Sequence, residues 1–77
     1  MIKERMQNIF RDVFDDPALE IWDGMTAGDV DEWDSLSHVQ LVIAVEKEFK
    51  VRFSTADIIA LNNVGEFISL VGKQLNQ

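Results

Sequence analysis

The chain has 77 residues, 47% of them hydrophobic and 27% charged, with 14 acids against 7 bases and a net charge of −7. One small core is all that this length can build, so a single domain over residues 1–77 is expected, without room for a deep catalytic cleft. The bases are scattered along the chain, which excludes a nucleic-acid surface, where clustered Lys and Arg displace counterions from phosphates; proteins with basic patches are the expected partners.

The absence of cysteine excludes disulfides, thiolate metal sites and cysteine nucleophiles. Charge enters the first residues, Met1-Ile2-Lys3-Glu4-Arg5-Met6, where a signal peptide would be apolar, and no apolar stretch approaches membrane-spanning length. A cytoplasmic monomer that uses no membrane is therefore expected. Like charges also oppose compaction, so added salt or divalent cations should raise the melting temperature, as thermal melts over a range of ionic strength would test.

Along the chain, Ile2, Met6, Ile9, Phe10, Val13 and Phe14 repeat with the period of a helix that buries one face. Asp15-Asp16-Pro17 should end it, since the residue before proline is pushed out of the helical region. From Asp16 to Trp33 no period holds. That segment carries Gly24, Gly28 and the acids Glu20, Asp23, Asp29, Asp31 and Glu32, with Leu19, Ile21, Trp22, Met25 and Val30 among them. It reads as a long loop pinned by apolar anchors, Trp22 and Trp33 included, which covers the core or frames a site.

A second helix is expected from about Ser35 to Lys50, opened by Asp34 or Ser35 as the acceptor for its first free amides. Its apolar residues, Leu36, Val39, Leu41, Val42, Ile43, Ala44, Val45 and Phe49, are too widely spread for one stripe and predict a central helix with neighbours on two sides. Val51-Arg52-Phe53 is a connection. Ser54-Thr55-Ala56-Asp57 has the form of a capping box and opens a short third helix through Leu61. Asn62-Asn63 stops it, and Asn63 with Glu66 opens a fourth helix carrying Val64, Phe67, Ile68, Val71 and Leu75. The fold class is all-α: a small four-helix bundle, three main helices and one short, with a long first loop.

Chemistry concentrates at Trp33-Asp34-Ser35-Leu36, an acidic turn that delivers a serine to the start of the second helix. A phosphodiester on that hydroxyl would sit beside unpaired amides and the positive end of the helix dipole. Asp34-Ser35-Leu36, followed by Val39, Leu41-Val42, Ala44, Glu46, Glu48 and Phe49, resembles the signature of the acyl carrier protein family, and the resemblance covers nearly the whole chain. It implies that the protein is not an enzyme but a carrier. A phosphopantetheinyl transferase, with magnesium, would move 4'-phosphopantetheine from coenzyme A onto Ser35, and the thiol of that arm would hold an acyl or aminoacyl thioester for partner enzymes of fatty acid, polyketide or specialised metabolite synthesis. The resemblance further implies that Asp34 and Leu36 serve transferase recognition. By the same token Glu46 and Glu48 on the second helix would dock the basic patches of loading and transferring enzymes, and Phe53, Ile58 and Leu61 would line an acyl pocket.

Departures from the family pattern point to a specialised carrier. Glu32 and Trp33 replace small residues before the motif, and Gln40 and Lys47 stand where fatty-acid carriers have acids. The ring of Phe53 takes space that a long chain would need, and Ile59 adds an apolar residue where a solvent-facing one is usual, so a short or polar cargo and a partly apolar docking patch are expected. Other readings are weaker. Asp29 and Asp31 begin a calcium-loop spacing that fails at Asp34, where glycine is required, and at Gln40, where glutamate is required. A hydrolase built on Ser35 and His38 lacks the strand-to-helix elbow and a sheltered cleft, which leaves His38 as a surface residue near the base of the arm. A peptidyl carrier shares the arm but normally has glycines before the serine. An acidic helical adaptor without any prosthetic group would use Ser35 as a cap alone.

Overall fold

Four α-helices and one 3-10 turn succeed one another in the computed structural model, which describes residues 2–75. Met1 and residues 76–77, the ends of the expected 1–77 domain, lie outside the described residues. No strand occurs among the described residues, as expected of an all-α chain.

Helix α1 spans Ile2–Val13 and turns Met6, Ile9 and Phe10 into the core, with Ile2, Val13 and Phe14 packed at its margin. Its end differs from the expectation built on proline. Asp15 adopts the left-handed conformation, φ 51°, and the Asp16 amide donates back to the Arg11 carbonyl at 3.0 Å, so the chain has left the helix before Pro17 is reached.

The long connection is not featureless. A 3-10 turn at Ala27–Asp29 is closed by Thr26 and Asp29, each side chain accepting from the other's end of the turn. Ile21, Met25, Val30 and Trp33 are buried, and complete burial of such side chains contributes roughly 1.5–3 kcal/mol apiece. Trp22, expected to be an anchor, is instead 50% exposed. Ile21 beside it is buried, its amide fixed by the Gln7 side chain at 3.0 Å.

Helix α2 runs Ser35–Phe49 and packs against α1 through Leu41, Val42, Val45 and Phe49. It has neighbours on two sides, α1 and, through His38 and Ile58, α3, yet not all of its apolar residues are covered. Leu36, Val39 and Ile43 are 69%, 51% and 46% exposed, so the surplus apolar residues form a ridge in solvent instead of a second buried face. Its C-terminus closes as α1 does, with left-handed Lys50, φ 56°, and the Val51 amide donating to the Glu46 carbonyl at 3.1 Å.

Helix α3, Thr55–Ala60, stops one residue before the expected Leu61, and its Ser54–Asp57 capping box is fully formed despite the short aspartate. Helix α4, Val64–Leu75, buries Val64, Phe67 and Val71 and packs on α1. Asn63 accepts from the Glu66 amide at 2.8 Å, while Glu66 reaches one residue further back, to the Asn62 amide at 3.0 Å. The first amides of α4 also tie down the long loop: Val64 donates to the Met25 carbonyl and Gly65 to that of Asp23, at 2.9 and 2.7 Å. A Cβ on Gly65 would lie 2.9 Å from that Asp23 oxygen, so only glycine permits the approach.

Candidate functional site at the head of helix α2

Two residues take over the capping of α2 and leave Ser35 out of it. Asp34 is the N-cap, its Oδ1 accepting from the Ser37 amide at 3.0 Å, and the Ser37 hydroxyl accepts in return from the Asp34 amide at 2.8 Å. Ser37 is buried, and its hydroxyl also reaches the Glu32 carbonyl at 2.8 Å, which fixes the chain entering the helix. The Ser37 amide, then the Ser37 hydroxyl, hold the Asp34 carboxyl below its ordinary value of 3.8, so Asp34 is ionised at neutral pH.

Ser35, the first residue of the helix, is exposed, and its hydroxyl makes no hydrogen bond among the described residues. Leu36 beside it is the exposed start of the apolar ridge. The site therefore has a free hydroxyl, an adjacent carboxylate and the donor-rich end of a 15-residue helix. Those features fit a serine-linked phosphodiester: its oxygen is reachable from solvent, and the helix end favours the negative charge it would bring.

A groove of about 490 Å³ opens next to Ser35. Ser35, Asp34, Trp33 and His38 form one wall, Ile58, Ile59 and Leu61 the other, with Ala27 at its edge. Thus Ile58 and Leu61, two of the three expected pocket residues, meet beside the serine. Phe53 does not line the groove; it is buried in the core, its ring edge-on to Phe67 at 5.9 Å. Ile59, 76% exposed, belongs to the groove and to the outer surface together.

The acids expected to dock partners already have partners within the chain. Glu46 is half-buried and accepts from the Phe53 amide at 2.9 Å. Glu48 accepts from Arg5 Nε at 2.9 Å, and the same guanidinium donates to the Glu48 carbonyl and lies 4.4 Å above the Phe49 ring.

His38 is not the plain surface residue expected from sequence. It is half-buried, its Nδ1 accepts from Trp33 Nε1 at 3.2 Å, and its Nε2 approaches the Ile58 carbonyl at 3.5 Å. Trp33 in turn meets Phe10 edge-on at 5.3 Å, so a chain of rings runs from α1 to the groove. The spacing of Ser35 and His38 by three residues, which places them on one helix face, was the available signal. No group of three or more His, Cys, Asp or Glu that could hold a metal occurs among the described residues; Asp29 is occupied in capping the 3-10 turn.

A helical carrier of a serine-linked arm is the class of protein these features define. The family model described as a phosphopantetheine attachment site matches residues 4–71. Among solved structures, a holo acyl carrier protein from Geobacter metallireducens is 38% identical, with a TM-score of 0.91 over 99% of this chain and 88% of that one. Comparison with curated proteins gives no match. The chain belongs to the acyl carrier protein family. It is accordingly a carrier with a covalent 4'-phosphopantetheine, served by transferases and biosynthetic enzymes, and not an enzyme itself. No helix of the described residues is long and apolar enough to cross a membrane.

Proposed function

We propose that Ser35 is the attachment residue, and that Asp34 and Leu36 present it to the phosphopantetheinyl transferase. The observation that carries this reading is the division of labour at the helix start, where Asp34 and Ser37 do the capping and the Ser35 hydroxyl stays free in solvent. In the transfer the hydroxyl gives up its proton and takes the phosphoryl group, and the nucleotide part of coenzyme A leaves.

The cargo is a short or polar acyl or aminoacyl group. Phe53 supports this, because its ring takes core space against Phe67, and Ile58 and Leu61 are left to line the groove. Partner enzymes meet Ile59 and the apolar ridge of α2. Glu46 and Glu48 each spend one carboxylate oxygen inside the chain and offer the other to a basic patch. The pathway is specialised metabolite, polyketide or fatty acid synthesis, and the protein works as a single-domain monomer in the cytoplasm.

Incubation with a promiscuous phosphopantetheinyl transferase, magnesium and coenzyme A, followed by intact-mass measurement, tests the assignment. One added phosphopantetheine on the native chain and none on Ser35→Ala is the expected result. An unmodified native chain, as an adaptor without prosthetic group would give, or an arm retained by Ser35→Ala, would overturn it.

A further inference from the structure

We propose that His38 is a holding contact for the arm: its Nε2–H donates to an oxygen of the phosphopantetheine laid along the groove between α2 and α3. The inference rests on Ser35 carrying that arm.

The tautomer follows from its neighbour. An indole N–H can only donate, so His38 Nδ1, 3.2 Å from Trp33 Nε1, must be the acceptor, and the ring proton resides on Nε2. That donor is poorly used within the chain. Its one approach among the described residues is to the Ile58 carbonyl at 3.5 Å, against about 2.9–3.0 Å for a well-formed N–H···O bond. Trp33 is itself held against Phe10 and Phe14, so the imidazole is kept in orientation from behind while His38 lines the groove.

Position matches the arm's chemistry. His38 lies one turn from Ser35 on the same helix face, with Cβ atoms about 5–6 Å apart at that spacing. The first hydroxyl and first amide carbonyl of a pantetheine chain follow its phosphate by a few single bonds, and a pair of methyl groups sits between the phosphate and that hydroxyl. Ile59 and Leu61 supply an apolar wall for the methyl groups opposite His38. A polar donor facing an apolar wall, next to the attachment point, suits the arm itself whatever cargo it bears.

The test compares apo and holo protein, each with ¹⁵N-labelled histidine, after intact mass has established that the arm is attached. In the holo form the His38 Nε2 signal should shift, and contacts should appear between the arm's methyl protons and the Ile59 and Leu61 side chains. His38→Leu should accept the arm fully yet lose those contacts, and His38→Gln, which keeps a donor, should restore them. An unchanged His38 signal in native holo protein, with arm signals as sharp as those of free pantetheine, would overturn the proposal and leave the carrier assignment standing. Failure of the arm to attach at all would instead remove the carrier assignment, and this inference with it. Because the native apo-to-holo comparison needs no substitution, a poorly folded His38→Leu would not decide the matter.

Discussion

The two ends of α2 are built to opposite purposes. At the head, capping falls to Asp34 and Ser37, and Ser35, one of the two residues between them, keeps its hydroxyl in solvent. At the tail the acids hold the chain: Glu46 takes the Phe53 amide, Glu48 takes Arg5, and Lys50 bends the backbone left-handed so that Val51 can donate to the Glu46 carbonyl. A short helix can thus spare one end for chemistry when its neighbours satisfy the open amides there. Glu46 and Glu48 fasten the tail with one carboxylate oxygen each and keep the other unspent.

Breaking the head should give the largest effect. Ser37→Ala removes the acceptor for the Asp34 amide and the hydroxyl that meets the Glu32 carbonyl, both part-buried bonds of a buried side chain. A loss of about 1–2 kcal/mol in denaturant unfolding is expected. A loss below a few tenths of that size would mean that water replaces the hydroxyl without cost. The tail should respond in the opposite direction to its own substitution. A non-glycine residue at positive φ costs roughly 1–2 kcal/mol, of which glycine's extra chain entropy returns about half, so Lys50→Gly should stabilise the protein by about 0.5–1 kcal/mol. Asp15, the other left-handed residue, should gain less from the same change, since aspartate tolerates this conformation better than lysine.

Acid should separate the ends more gently. Asp34 has a folded pKa below its ordinary 3.8 because the Ser37 amide, and then the Ser37 hydroxyl, bond to its ionised form. Its contribution is therefore whole above the unfolded value and is lost only as pH falls through the lower folded value, a window that lies below about pH 4. Solvent screens this exposed carboxylate, so the effect should be smaller than that of losing Ser37. Asp34→Asn keeps an accepting oxygen without the titration, and helicity followed by circular dichroism from about pH 5 to about pH 2 should show a flatter acid limb for that variant.

How much of this was legible beforehand varied with the physics of each element. The stripes of α1 and α4 are single faces turned to one core, so their periods mark them plainly. The period says less about α2, because an apolar residue left in solvent and one buried by a neighbouring helix look identical in a sequence; Leu36, Val39 and Ile43 are of the first kind. The 3-10 turn at Ala27–Asp29 is too short to have a period, and its signal was the Thr26–Asp29 pairing alone. The resemblance singled out Ser35, Ile58 and Leu61, and the structure places all three on one groove. The spacing put His38 on the face of Ser35, but not its half-burial, which depends on Trp33 swinging back from before the helix to donate to it, a contact fixed by the packing of Trp33 on α1.

The sharpest statement of the comparison is the substitution that should do least. Ser35→Ala deletes a hydroxyl that bonds to nothing among the described residues, at an exposed first-turn position where the cap is formed by others. Its unfolding free energy should stay within about 0.5 kcal/mol of the native value, while intact mass after transferase treatment shows complete loss of the arm. A serine that capped the helix would have reversed the pattern, costing stability when removed. A clear destabilisation in Ser35→Ala would therefore place the hydroxyl in the fold's own hydrogen bonding and remove the reason for regarding the head of α2 as spared for chemistry.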